Sequence, residues 1–248
     1  MNREATGLAG ARIIEYETLG STNAEALSRA RAGERGPLWI TARRQSAGRG
    51  RRGSTWLSPP GNLYATLLLS APSQTAQAPQ LSFVAALAVH DAVAECAPQL
   101  GPSLKVKWPN DILLGGGKLA GILIEGDSEP AFAVGIGIGV NCAAHPRDTN
   151  HPATDLAEAG ALVKPERLFV ALASAMERRS EQWRRGEGFA AIRADWLKRA
   201  AGLGQDIRVR LPERELTGRF EGLDEAGRLL LAGPGGVTTI TAGEVFGL

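Results

Sequence analysis

The alternation of apolar and polar positions opens with a strand over Arg12-Ile13-Ile14-Glu15-Tyr16. It runs into Gly20-Ser21-Thr22-Asn23-Ala24-Glu25, where Thr22 and Glu25 have the spacing of a capping box for a helix ending near Gly33. Pro37 precedes a buried strand, Leu38 to Ala42, and Leu63 to Leu69 is another apolar run of strand length. Leu81, Val84, Ala85, Ala88, Ala92, Val93 and Cys96 then recur at helical spacing, which predicts a helix from Pro79 to about Cys96.

The block from Lys105 to Glu125 reads as strand, turn at Pro109-Asn110, strand, glycine hairpin and strand. In the following strand, Ala131 to Asn141, alternation sets Gly135, Gly137 and Gly139 on one face. Such a face either leaves space for a flat ligand or admits a closely packed helix. Two helical patterns follow, Leu168 to Trp183 and Phe189 to Leu197, and Gly202 and Gly204 mark a boundary. Beyond it the chain changes to short β segments at Ile207–Leu211, Leu216–Phe220, Arg228–Leu231 and Val237–Ile240. Their close spacing predicts a small β-barrel appended to a mixed α/β domain, with the division at 201/202.

Composition narrows the function classes. A chain of 248 residues with 44% hydrophobic content builds a sizeable core. A formal net charge of +2 does not suggest wholesale binding to nucleic acid or membrane. No apolar run approaches the roughly 18 residues of a membrane helix, and no secretory signal opens the chain. Cys96 and Cys142 have no metal-ligand spacing, and read as reduced apolar fillers in a cytoplasmic protein.

The local chemistry is concentrated in Gln45 to Leu69. There Arg49, Arg51 and Arg52 alternate with Gly48, Gly50 and Gly53, and Trp56 follows. Three cations in a flexible loop add little stability, so the run reads as an anion site, with a solvated charged loop as the alternative from composition alone. It formally fits a dinucleotide fingerprint, but Ser58-Pro59-Pro60-Gly61 breaks the helix that motif requires. Gly115-Gly116-Gly117-Lys118 likewise fails as a phosphate loop, because Ile112 and Leu119 stand where Gly and Ser or Thr are needed. Taken alone, Lys118 reads as an exposed strand-end lysine, and Ser21, Thr22 and Asn23 as helix capping. His90 reads as a surface histidine. None of His90, His145 and His151 has a partner arrangement of a triad or a metal site.

In order and spacing, these blocks together resemble the biotin protein ligase family. The resemblance covers nearly the whole chain: Ser21-Thr22-Asn23, Gln45 with the glycine-arginine loop, Lys107-Trp108-Pro109-Asn110-Asp111, Gly117 to Glu125, Gly137 to Asn141, and the C-terminal β segments. It implies an α+β fold: a class II synthetase-like catalytic domain with a mixed sheet flanked by helices, followed by the small barrel. The implied reaction is ATP-dependent and passes through biotinyl-5′-AMP to a lysine of a biotin carboxyl carrier protein. Bifunctional relatives carry a DNA-binding domain before the catalytic one, and about 20 residues before Ser21 are too few for it, which implies a ligase-only member without operator binding. Homodimerisation stays open.

By this resemblance Ser21, Thr22, Asn23, Gln45, Arg49, Gly50, Arg51 and Lys118 bind biotin. Arg51, Lys107, Asn110, Asp111, Lys118 and Asn141 meet the nucleotide. Arg51 and Lys118 carry the catalytic charge, Mg²⁺ accompanies ATP, and Asp111 is its candidate ligand. A lipoate or octanoate ligase shares this logic. A nucleic-acid module built on Arg43, Arg44, Arg49, Arg51 and Arg52 with Trp56 and Tyr64 is the reading from another class.

Overall fold

The computed structural model describes residues 3–5, 10–129, 131–147, 149 and 152–247. Eight strands form one mixed sheet: β1 (Arg3–Ala5), β2 (Arg12–Leu19), β3 (Leu38–Gln45), β4 (Leu63–Ser70), β5 (Leu104–Lys107), β6 (Asp111–Leu114), β7 (Gly117–Asp127) and β8 (Ala133–Val140). Their order is β1-β2-β3-β4-β8-β7-β6-β5, with β2 and β3 parallel and the other pairs antiparallel. The helices are α1 (Thr22–Arg31), α2 (Leu81–Cys96), α3 (Pro165–Trp183) and α4 (Phe189–Leu197).

Period-two alternation serves two cores. Leu38 and Ile40 of β3 join Ile14, Ala26 and Leu68 beneath α1, whereas Trp39 points to the opposite face and meets Phe169 of α3 edge-on. On β8, Val134, Ile136, Ile138 and Val140 enter the larger core with α2 and α3. The glycines of β8 therefore face the α1 side, as the alternation predicts.

Two boundaries differ from the sequence reading. Ser21, rather than Thr22, caps α1, its hydroxyl accepting from the Ala24 N–H at 3.4 Å. Glu25 does not close the capping box; it accepts from Tyr16 and Arg29 instead. The α2 helix starts at Leu81, and Pro79 lies in the preceding 3₁₀ segment, Thr75–Gln80. His90 is also no surface residue. Its side chain is only 12% exposed, and it abuts Asp91 inside a network that joins α2, α3 and α4.

That network makes a pH prediction. The hydrogen bond from Gln182, opposed by burial and aided by Arg179 and Lys198, holds the Asp195 carboxyl down at about 2. A depressed folded-state value contributes stability above the unfolded carboxyl range near about 4, and the contribution disappears as pH falls towards 2. The urea midpoint therefore falls with pH in that window, and Asp195→Asn flattens this part of the profile. A second prediction concerns Asn62, which is buried at the end of the proline-rich turn. Its Oδ1 accepts from the N–H groups of Cys142, Ala143 and Ala144, and its Nδ2 donates to Ala144 O. Asn62→Ala lowers unfolding free energy by about 1–3 kcal/mol in urea titrations, because the buried Cys142 N–H loses its partner.

The C-terminal segment forms β9 (Asp206–Arg210), β10 (Glu215–Leu223), β11 (Leu229–Gly233), β12 (Gly236–Ile240) and β13 (Glu244–Phe246). These strands pair antiparallel in the order β12-β11-β10-β9-β13. No pairing joins β12 to β13 among the described residues, so the expected barrel is a separate five-stranded sheet. The last strand, only three residues long, gives no usable alternation in the sequence.

Candidate active site

The glycine-arginine loop leaves β3 and folds back on itself as a hairpin. Gly50 N–H donates to Ser54 O at 2.7 Å and Trp56 N–H to Gly48 O at 2.9 Å. Gly48 is required by this closure, since a Cβ there would lie 2.4 Å from Trp56 O. At the tip Arg52 takes φ +54, a left-handed conformation that a side chain rarely adopts.

The hairpin overhangs a cavity of about 780 Å³ that brings together the elements the sequence treats separately. Ser21, Thr22 and Asn23 enter from α1, and Gln45, Arg49, Gly50 and Arg51 from β3 and the hairpin. Lys107, Asn110 and Asp111 come from the β5–β6 turn, Lys118 from β7 and Asn141 from the end of β8. All twelve residues expected at the site line this one space. His151 lies outside the described residues.

At one end the polar groups are already organised. Gln45 Oε1 accepts from the Thr22 N–H at 2.8 Å and from its hydroxyl at 3.1 Å, and Gln45 Nε2 donates to Ser58. The fully buried Thr66 donates to the Thr22 hydroxyl at 2.8 Å. Asn23 donates to Glu125, which also lies 3.8 Å from Arg49. Both are half-exposed, so this ion pair is weak.

At the other end Asp111 is surrounded by cations. Lys118 Nζ stands 2.7 Å from Oδ1, and Lys107 Nζ 4.0 Å from Oδ2. Burial depresses the Lys107 ammonium and the Arg51 guanidinium below their ordinary values, and neighbouring Lys118 and Arg52 act in the same direction. Such crowding is relieved by an anion. Arg51 also donates to Asn110 Oδ1 at 3.2 Å and, over a long 3.5 Å, to Gly243 O of the C-terminal sheet. Asp111 does not fit a protein-held cation: a single carboxylate, it is already the counter-ion of Lys118. Asn141 lines the cavity and uses its amide to donate to Lys118 O and Thr154 O.

Lys118 is not the exposed strand-end lysine that its position alone suggests. A β-bulge shifts the β6–β7 register between Ile112 and Leu113, pairing Ile112 with Ala120 and Leu113 with Lys118. Leu119 and Ala120 both enter the core, and Lys118 emerges on the same face as Gly121. The glycine face is likewise occupied. The Asn23 carboxamide covers Gly135 and Gly137, and the Trp56 indole lies on Gly139 and Gly121. A Cβ on Gly139 would stand 2.6 Å from Trp56 Nε1. Helix packing therefore accounts for two of the three glycines, and an aromatic seat for the third.

Four residues near the site escape the sequence reading: Trp56, Thr66, Glu125 and Glu244. Trp56 stood beside the arginines, and Lys118 now lies 5.5 Å over its ring. Glu125 closes one of the blocks that carry the resemblance but is given no role by it, and Thr66 and Glu244 carry no local signal. His145 also corrects its reading, because it has partners: Nδ1 lies 2.8 Å from Asp155 and Nε2 3.3 Å from Glu158. These three form a group that could hold a metal ion among the described residues.

Residues 19–141 match the biotin/lipoate A/B protein ligase family, and residues 202–247 match the biotin protein ligase C-terminal domain. A biotin–[acetyl-CoA-carboxylase] ligase of Paracoccus denitrificans is 47% identical over 91% of this chain and 96% of its own length. The chain belongs to the biotin protein ligase family. The biotin–[acetyl-CoA-carboxylase] ligase of Mycobacterium tuberculosis is 35% identical over 92% of this chain and 86% of its own length. Among solved structures of the family, the Aquifex aeolicus biotin protein ligase in complex with biotin and ATP superposes with a TM-score of 0.80. It is 27% identical and covers 94% of this chain and 97% of its own. No helix among the described residues is long and apolar enough to cross a membrane.

Proposed function

We propose that this biotin protein ligase activates biotin with ATP to biotinyl-5′-AMP and transfers the biotinyl group to a lysine of a biotin carboxyl carrier protein. The observation that carries the reading is the gathering of Arg49, Arg51, Lys107 and Lys118 around one cavity that also holds the Thr22–Gln45 network. Two anions, a carboxylate and a triphosphate, repel each other unless cations compensate them. The Ser21, Thr22, Asn23 and Gln45 end is the polar seat for the ureido head. Arg49 exchanges its loose contact with Glu125 for the substrate carboxylate.

A carboxylate oxygen then bonds to the α-phosphorus as the bond to pyrophosphate breaks. Lys118 and Arg51 stabilise the charge on the phosphoryl oxygens, and Lys107 holds the departing pyrophosphate. Such transfers depend mainly on positioning and charge. A Mg²⁺ ion accompanying ATP would neutralise part of the phosphate charge, and Arg51, Lys107 and Lys118 would supply the protein's share. In the second step the neutral carrier amine attacks the acyl carbon, AMP leaves, and the amine proton passes to solvent.

The test is ATP–pyrophosphate exchange with biotin, lipoate or octanoate supplied in turn. Exchange with biotin alone is expected, and transfer of labelled biotin to a purified carrier domain follows. Exchange with lipoate or octanoate but not biotin overturns the reading.

A further inference from the structure

The Lys107–Asp111 turn sends its charged ends into the cavity; Trp108 also lines that space, but the polar contact of its indole lies with the C-terminal sheet. It is 3% exposed, and its Nε1–H donates to Gly227 O at 3.1 Å, in the turn between β10 and β11 of the C-terminal sheet. That turn is seated tightly. Gly227 has φ +82, and a Cβ there would lie 2.8 Å from the Phe83 ring. Phe83 in turn packs edge-on against Phe189 and Trp196.

The same sheet reaches the cavity at its other end. Gly243 and Glu244 line it; Gly243 O faces Arg51, and the Glu244 carboxylate acts electrostatically on both Arg51 and Lys107. Because β13 pairs with β9 and β9 with β10, the two turns belong to one hydrogen-bonded unit. A tilt at Gly227 therefore moves the Gly243–Glu244 wall relative to the cations. The Thr22–Gln45 end lies on α1 and β3 and has no part in this linkage.

We propose that Trp108 is a positioning residue for the nucleotide side of the site: its indole N–H anchors the C-terminal sheet so that Gly243 and Glu244 form the cavity wall beside Arg51. The inference rests on the ligase reading above.

Trp108→Phe keeps an apolar ring and removes the donor. In pyrophosphate exchange by the full chain, the KM for ATP rises about tenfold. The KM for biotin stays within about twofold, and hydrogen exchange at Gly243–Glu244 quickens. In a Glu244→Gln background the same substitution adds less than about twofold, because its effect runs through that wall. An unchanged KM for ATP, equal rises in both constants, or full additivity with Glu244→Gln overturns the proposal. If Trp108→Phe does not fold, Gly227→Ala disturbs the contact from the other side and must give the same ATP-selective pattern. If the parent protein shows no biotin-dependent exchange, the ligase reading fails. Hydrogen exchange at Gly243–Glu244 in Trp108→Phe still decides the anchor, with unaltered exchange overturning it.

Discussion

Lys118→Ala lowers biotin-dependent pyrophosphate exchange by about 10²- to 10³-fold, the usual cost of losing one preorganised charge-stabilising donor. The ammonium is held by Asp111 at 2.7 Å and lies over the Trp56 ring. It is thus aimed before any substrate arrives, and no reorganisation is needed when charge develops on the α-phosphate. Its removal also leaves Asp111 facing the incoming phosphates without its nearest counter-ion, with Lys107 at 4.0 Å and the more distant Arg51 to offset it. Both effects act in the adenylation step. Wild-type exchange by the variant counts against the assignment, and an unchanged urea midpoint separates lost chemistry from lost folding.

Arg51→Gly speeds escape of biotinyl-5′-AMP by about 10- to 100-fold, the equivalent of one or two charge-assisted hydrogen bonds. Arg51 is the residue of the hairpin that spans the cavity, reaching Asn110 on the β5–β6 turn and Gly243 on the C-terminal sheet. Without it the hairpin keeps its own closure between Gly48 and Trp56 but loses its hold on both walls. The mixed anhydride is then exposed to water sooner. Release of labelled adenylate after rapid dilution measures this directly, and an off-rate equal to that of the parent protein refutes it.

Much of the protein was legible in its residues. Helices α3 and α4 and strands β4 and β8 lie close to where periodicity set them, because local spacing decides which face an element buries. The residue types expected at the site also converge, since anion chemistry demands arginine, lysine and glycine wherever they fold. Less was legible where a contact spans the chain. Thr66 and Glu125 are ordinary strand residues until they meet Thr22 and Asn23, and Glu244 is an ordinary residue of a short strand until the C-terminal sheet is docked.

The glycines of β8 show the division. Alternation by itself put Gly135, Gly137 and Gly139 on one face, but only the packed structure lays Asn23 and Trp56 upon them. Lys118 shows it more sharply. Strict alternation separates Lys118 from Gly121, whereas the bulge beside Leu113 brings both to the cavity. The sequence determined the period of each strand and the chemistry it carries. Register across neighbouring strands is set by long-range pairing, so the tertiary structure alone decided that this lysine faces Asp111.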